Sequence, residues 1–110
     1  MQVMRLLVMF DLPTGTRKER KEYSNFRKFL LEDGFLMEQY SVYSRMTVDR
    51  DNLETHLRRI EAHLPPAGSV QVLQVTEYQY ENRKLLVSPL KPSSSGKEKL
   101  ERPAQLSLFF

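Results

Sequence analysis

Asp11 closes an apolar run and is followed at once by Leu12-Pro13, and it is the first residue in the chain with chemical potential. A carboxylate at the end of a buried strand is a hard-oxygen ligand, suited to Mg²⁺ that keeps most of its shell as water and substrate phosphate. Its alternative use is local, as acceptor for the following turn or for the start of the next helix. A single carboxylate is a thin ligand set, so catalytic use points to a two-fold axis that brings two copies of Asp11 to one metal. Arg17, Lys18, Arg20, Lys21, Arg27 and Lys28 come next, on one segment. The i, i+3, i+4 spacing puts Arg17, Arg20 and Lys21 on overlapping helix surface, a phosphate-sized basic patch that Glu19 and Glu22 only partly neutralise. The other reading of that segment is a solvated helix face with mixed charges. Arg58-Arg59 and Arg83-Lys84 add two smaller basic pairs.

Other chemistries lack their residues. With no Cys there is no disulfide framework, thiolate nucleophile or Cys-based zinc site. His56 and His63 are seven apart, without the i, i+4 pairing of a helical metal motif, and are expected at the surface or in packing. Ser41 and Ser44 have no evident base, and no Gly-rich phosphate loop occurs. Tyr40, Tyr43, Tyr78 and Tyr80 could stack on bases in a plain RNA-binding module, but no matching consensus accompanies them. A place in the core or in a dimer interface is the preferred reading for them.

The elements that must position these residues emerge from periodicity. Residues 3–10, VMRLLVMF, are apolar at both strand parities, as in a central strand covered on both faces. Thr16 and Glu19 match a capping box, and the helix they open runs to about residue 33, with Tyr23, Phe26, Phe29 and Leu30 on one stripe and Gly34 as its stop. Residues 35–48, FLMEQYSVYSRMTV, are too many for one strand and read as two, meeting near residues 39–41. A second helix is capped by Asp49 or Asp51, carries Leu53, Leu57, Ile60 and Leu64 on one face, and stops at Pro65-Pro66. Residues 69–80 read as the last clear strand, and residues 85–87 as a short additional one.

Strand, helix, two strands, helix, strand is the α+β, ferredoxin-like βαββαβ order, with an antiparallel sheet and both helices on one face. The opposite face then carries Met37, Tyr40, Tyr43, Leu73 and Val75, too apolar for easy exposure. A homodimer packed through the sheets is the expected solution. The size agrees: 110 residues, 40% apolar and 28% charged, with a net charge of +3, make one small domain whose core gains from a partner subunit. The opening apolar run is too short to span a bilayer and lacks a cleavage site, so no membrane partner and a cytoplasmic location are expected.

Composition divides the chain into a domain at residues 1–87, a Pro, Ser, Gly and charge-rich linker at 88–103, and an apolar docking peptide at 104–110. Within that peptide, Gln105, Leu106, Leu108 and Phe109 form Gln-Leu-Ser-Leu-Phe, which resembles the short peptide by which bacterial replication and repair proteins dock on the DNA sliding clamp. Docking on a partner subunit, or on the sheet of a dimer mate by strand addition, stands ahead of the clamp as the expected use.

MQVMRLLVMFDLP at residues 1–13, RKFLLEDGF at 27–35, QYSVY at 39–43 and SVQVLQVTE at 69–77 together resemble the small CRISPR-associated protein two, in its form from type II systems. The likeness covers residues 1 to about 85, in order. It implies a ferredoxin-like homodimer that bridges two dimers of the CRISPR integrase and binds the backbone of a double-stranded prespacer during spacer acquisition. As the alternative to that leading reading, it implies the activity described for the family, a Mg²⁺-dependent endonuclease acting on RNA or DNA. Carried over, the metal ligand and catalytic residue is Asp11, and Arg17, Lys18 and Arg20 belong to the phosphate-binding surface.

Overall fold

The apolar alternation of the first strand decides which side of the sheet the helices cover. In the computed structural model, which describes residues 3–87, β1 (Met4–Asp11) sends Leu6, Val8 and Phe10 into the core, while Arg5, Leu7 and Met9 lie on the other face and are only half-buried. One face of β1 is therefore helix-covered, not both. The chain continues through α1 (Arg17–Glu32), β2 (Leu36–Gln39), β3 (Val42–Thr47), α2 (Arg50–Ala62), β4 (Ser69–Thr76) and α3 (Glu77–Glu81). The sheet order is β2-β3-β1-β4, antiparallel throughout, which is the expected α+β ferredoxin-like arrangement. The expected linker and docking peptide at residues 88–110 lie outside the described residues.

Phe26 and Leu30 of α1 and Leu53 and Ile60 of α2 close over Leu6, Val8 and Phe10. Phe10 is the centre of that packing: its ring meets Phe26 edge-on at 5.2 Å, Tyr23 at 5.7 Å and Tyr43, stacked, at 5.7 Å. Tyr43 stands opposite Val8 in the β1–β3 ladder and is 1% exposed, so it is a core residue on the helix side rather than part of the outer face. Burial raises its phenol above the ordinary tyrosine range.

Local chemistry sets the element ends. Thr16 and Glu19 close the expected capping box on α1, and Asp49, not Asp51, caps α2. Ser41 at φ +63° turns the chain between β2 and β3 at the expected place. After α1, Gly34 takes φ +90°, and the Arg45 guanidinium lies where a Cβ would stand. There Arg45 Nη1 donates to the Asp33 carbonyl at 2.6 Å, while the Asp33 carboxylate accepts from Arg59 Nη1 at 2.7 Å and His56 Nδ1 at 2.6 Å. This buried acceptor binds the end of α1 to β3 and α2, and it makes His56 a core histidine.

Three expectations give way. The last strand stops at Thr76 instead of continuing to residue 80, because Thr76 and Gln79 form a second capping box that opens α3. Residues 85–87 form no strand, and Leu64 is half exposed beyond the end of α2.

Side chains hold α3 on the uncovered face. Arg5 Nε and Nη2 donate in a fork to the two Glu77 oxygens, each at 2.9 Å, and Arg5 Nη1 donates to Ser44 Oγ at 3.1 Å. The Ser44 and Tyr80 hydroxyls both donate to Glu38 Oε2. The guanidinium carbons of Arg5 and Arg83 each lie 3.9 Å from the Tyr80 ring centroid. The fork lifts Arg5 above its ordinary value and holds Glu77 below the usual carboxylate range; burial, helped by the Glu38 charge, raises the Tyr80 phenol. Because the folded-state value of Glu77 is lowered, its contribution to stability is full above the ordinary carboxylate range and is lost as pH falls through the lowered value. Glu77→Gln is expected to cost about 1–3 kcal/mol at neutral pH, from the unpaired Arg5. Denaturant melts of the two proteins should converge as pH drops below about 4; a gap that stays constant with pH would show that the carboxylate charge is not what holds α3.

Candidate nucleic-acid interface and the Asp11 edge

Alternation along β1 that buries Leu6, Val8 and Phe10 puts Asp11 on the uncovered face, at the carboxyl end of the strand and opposite Ser69 of β4. A shallow pocket of about 190 Å³ opens there, lined by Met9, Phe10, Asp11, Ser69 and Gln71. The turn before β4 closes tightly behind it. Gly68 has φ +99°, and a Cβ at that position would stand 2.6 Å from the Asp11 carbonyl oxygen and 2.8 Å from Leu12 Cδ2, so only glycine fits. Asp11 is exposed, and among the described residues its side chain takes part in no hydrogen bond or ion pair. The following helix is capped instead by Thr16 and Glu19, which leaves the local use of Asp11 without a donor.

Among the described residues no three His, Cys, Asp or Glu side chains group as metal ligands. One chain therefore offers Mg²⁺ a single free carboxylate at this edge. That is compatible with an ion bound mainly through water and phosphate.

The basic residues of α1 divide by what they already do. Phe26 and Leu30 define its buried side, and at 100° per residue Arg17, Lys21 and Lys28 fall in one row on the opposite, outward side, with Lys18 flanking it. All four are exposed and enter no hydrogen bond or ion pair among the described residues. Arg20 is partly occupied, since its Nη1 donates to the Thr14 and Gly15 carbonyls at 3.2 and 3.3 Å and steadies the turn after β1. Arg27 lies beside the Tyr43 hydroxyl. From Arg17 to Lys28 the row is about 16 Å long, matching roughly five base-pair rises of a duplex.

Three of the four residues in the smaller basic pairs are committed elsewhere, Arg59 to Asp33, Arg83 to the Tyr80 ring and Arg58 to the Thr55 hydroxyl at 3.3 Å, while Lys84 is exposed and without a hydrogen bond or ion pair among the described residues. The tyrosines do not make a base-stacking sheet. Tyr43 is in the core, Tyr80 lies between two guanidinium groups, and Tyr78, the most exposed, is on α3. His63 packs, with its ring stacked on Phe29 at a centroid distance of 4.0 Å and its Nδ1 donating to the Arg59 carbonyl at 2.8 Å. Two polar clusters escape a reading of the sequence, Asp33 with His56, Arg45 and Arg59, and Arg5 with Glu38, Ser44, Glu77 and Tyr80. The second leaves a trace, since Arg5 is a cation inside an otherwise apolar strand. Gln105, Leu106, Leu108 and Phe109 lie outside the described residues.

Among the described residues no helix is long and apolar enough to cross a membrane. The sequence profile of the family described as CRISPR associated protein Cas2 matches residues 4–83, from the second residue described to the end of α3 and just beyond. A protein of Acidovorax ebreus named CRISPR-associated endoribonuclease Cas2 is 47% identical over 107 residues, 96% of this chain and 100% of that protein. One of Parvibaculum lavamentivorans with the same name is 44% identical over 106 residues, again 96% of this chain and all of the relative. A third, from Flavobacterium psychrophilum, is 53% identical over 75 residues, 68% of this chain and 65% of its own length. The profile takes in the whole sheet, the Asp11 edge and the basic row of α1, and with that coverage the chain belongs to the CRISPR-associated Cas2 family.

Proposed function

We propose that the chain works as a homodimer that bridges integrase dimers and grips the backbone of the prespacer duplex during spacer acquisition. The observation that carries this reading is the outward row Arg17, Lys21 and Lys28, three cations with no partner among the described residues, on the helix surface farthest from the sheet. Free cations in a row bind phosphates without reading sequence, which is what holding a duplex of arbitrary sequence requires. The uncovered sheet face supports the homodimer. Leu36, Met46 and Leu73 lie on it at 66%, 47% and 49% exposure, beside Leu7, Met9 and Val42, an apolar area that a second copy would bury.

A second reading, a Mg²⁺-dependent endonuclease, draws on Asp11. Its carboxylate is unpartnered and on the same face as the apolar patch, so packing two sheets face to face turns both copies toward the shared interface. The relatives named endoribonucleases agree with this reading. In it, Asp11 from each protomer would hold the ion, and the ion would supply an activated water and charge stabilisation at phosphate. The protein's own part is limited to placing the two carboxylates and, through α1, the nucleic-acid backbone.

The two readings separate experimentally. Duplex binding followed by fluorescence anisotropy across a salt series should weaken for Arg17→Ala/Lys21→Ala/Lys28→Ala equally on unrelated sequences, with the slope of log K against log salt falling by about 2–3 per bound row. An unchanged slope would remove α1 from the interface. Asp11→Ala should abolish any Mg²⁺-dependent cleavage by the isolated dimer while leaving duplex binding, integrase capture and spacer integration intact. Loss of integration with binding preserved would overturn the bridging-only role.

A further inference from the structure

Two polar side chains at the Asp11 edge have no part in either proposed activity. In the β1–β4 ladder Asp11 stands directly opposite Ser69 and diagonal to Gln71, which pairs with Met9, so alternation puts all four on the uncovered face. Side chains directly opposite are about 5 Å apart at Cβ and diagonal ones about 7–8 Å, so the carboxylate, the hydroxyl and the longer amide reach one shallow cavity. Asp11, Ser69 and Gln71 are exposed, and none of the three side chains enters a hydrogen bond or ion pair among the described residues. The turn at Gly68, whose backbone lies against the Asp11 carbonyl, keeps the two strand ends together and sets Ser69 beside Asp11.

The lining decides which part of a nucleic acid fits. It includes no cation, so nothing in the cavity attracts a phosphate, and the ionised Asp11 repels one unless an ion lies between them. The Phe10 ring is packed in the core against Phe26 and Tyr43, so no aromatic face is offered to a base. What remains is an acceptor-only carboxylate, a hydroxyl that donates and accepts, an amide with two donors and an acceptor, and the apolar Met9 beside them. Their complement is a small neutral group that both donates and accepts hydrogen bonds, carried on a partly apolar frame. On a nucleic-acid backbone the ribose 2′-hydroxyl is that group, and deoxyribose has nothing in its place.

We propose that Gln71, with Ser69, distinguishes ribose from deoxyribose at the Asp11 edge by hydrogen-bonding the 2′-hydroxyl of a single-stranded substrate. The inference rests on the endonuclease reading, in which a phosphodiester comes to Asp11, and adds which sugar is accepted beside it. The Gln71 amide donates to the 2′-oxygen and the Ser69 hydroxyl accepts its proton, which leaves both Asp11 oxygens for the ion. A single strand can splay a sugar into a shallow cavity, whereas a duplex holds its sugars in the groove wall. Because the cavity is at the end of β1 and the free cations of α1 are on the other side of the sheet, ribose reading and duplex grip use separate surfaces.

Fluorescence anisotropy with labelled single strands of one sequence, made as RNA, DNA and 2′-O-methyl RNA and titrated with the full-length protein in EDTA, reads this contact without cleavage. Two hydrogen bonds of ordinary strength are expected to make RNA bind about tenfold tighter than DNA or 2′-O-methyl RNA. Gln71→Met keeps most of the side-chain volume and removes the amide. It should bring RNA down to the DNA level while single-strand DNA affinity, duplex affinity and oligomeric state stay unchanged, and Ser69→Ala should remove part of the preference. Equal binding of RNA and DNA by the unaltered protein, a preference that survives both substitutions, or one that follows base sequence in RNA and DNA alike overturns the inference. Cleavage is read separately with Mg²⁺ added. A ribose preference without cleavage sinks the endonuclease reading and leaves the Gln71 contact standing, whereas equal cleavage of RNA and DNA keeps that reading and sinks this one.

Discussion

A four-stranded sheet with its two long helices, α1 and α2, on one side is the constraint on which the other features depend. Leu6, Val8 and Phe10 need the side of α1 and α2, and strict alternation then commits Arg5, Leu7, Met9 and Asp11 to the side those two helices leave uncovered. A slip of one residue would exchange the two sets, burying a carboxylate under α1 and exposing Phe10. The aromatic packing around Phe10 opposes that slip, because Tyr23, Phe26 and Tyr43 each meet its ring from a different element or position. Asp11 is thus presented at the uncovered face by the core, not by the turn after it.

The uncovered face is not uniformly apolar, and the exception has a clear role. Arg5 inside a sheet is costly unless its donors are met; Glu77 and Ser44 meet them, and Tyr80 covers the planar group. Satisfying Arg5 requires α3 to fold back over the sheet, so the network fixes where the chain leaves the domain and how much of the apolar patch stays open. An apolar residue at position 5 would give a greasier face but no fixed position for α3. In the proposed dimer, that difference is between a defined register and a surface free to slide.

Element order, both helix caps, the turn at residues 39–41 and the sheet topology are legible in the sequence because each rests on local signals that agree: the Thr16 and Glu19 box, the Phe26 and Leu30 stripe, the turn residue Ser41. The end of β4 is misjudged for an equally local reason, since residues 77–80 have strand-forming tyrosines while the Thr76 and Gln79 box that redirects them is a weaker sequence mark. Tyr43 is assigned to the wrong face because periodicity gives two faces without saying which one the helices choose. The Asp33 and Arg5 clusters are closed by pairs far apart in the chain, His56 and Asp33 at 23 positions and Arg5 and Glu77 at 72, and such pairs have no local signature. Of the site, Asp11 and the α1 cations can be named from type and position; that Arg20 and Arg27 are partly occupied, and Arg17, Lys21 and Lys28 free, requires the side-chain geometry.

The placement of the free cations also connects the two proposed activities. Only residues 12–16 separate Asp11 from Arg17, so the basic row of α1 begins close to the carboxyl end of β1 and runs away from it along the outside of the domain. In the proposed complex, a backbone tracked along that row would approach the end of the domain that carries Asp11 at its Arg17 end, although the row and the carboxylate lie on opposite sides of the sheet. Electrostatic attraction acts over about 10 Å at 0.1 M salt, whereas metal ligation needs direct contact at about 2 Å. The same cations can therefore hold a duplex whether or not a phosphate ever reaches Asp11, and a bridging subunit can retain the aspartate edge without using it for hydrolysis.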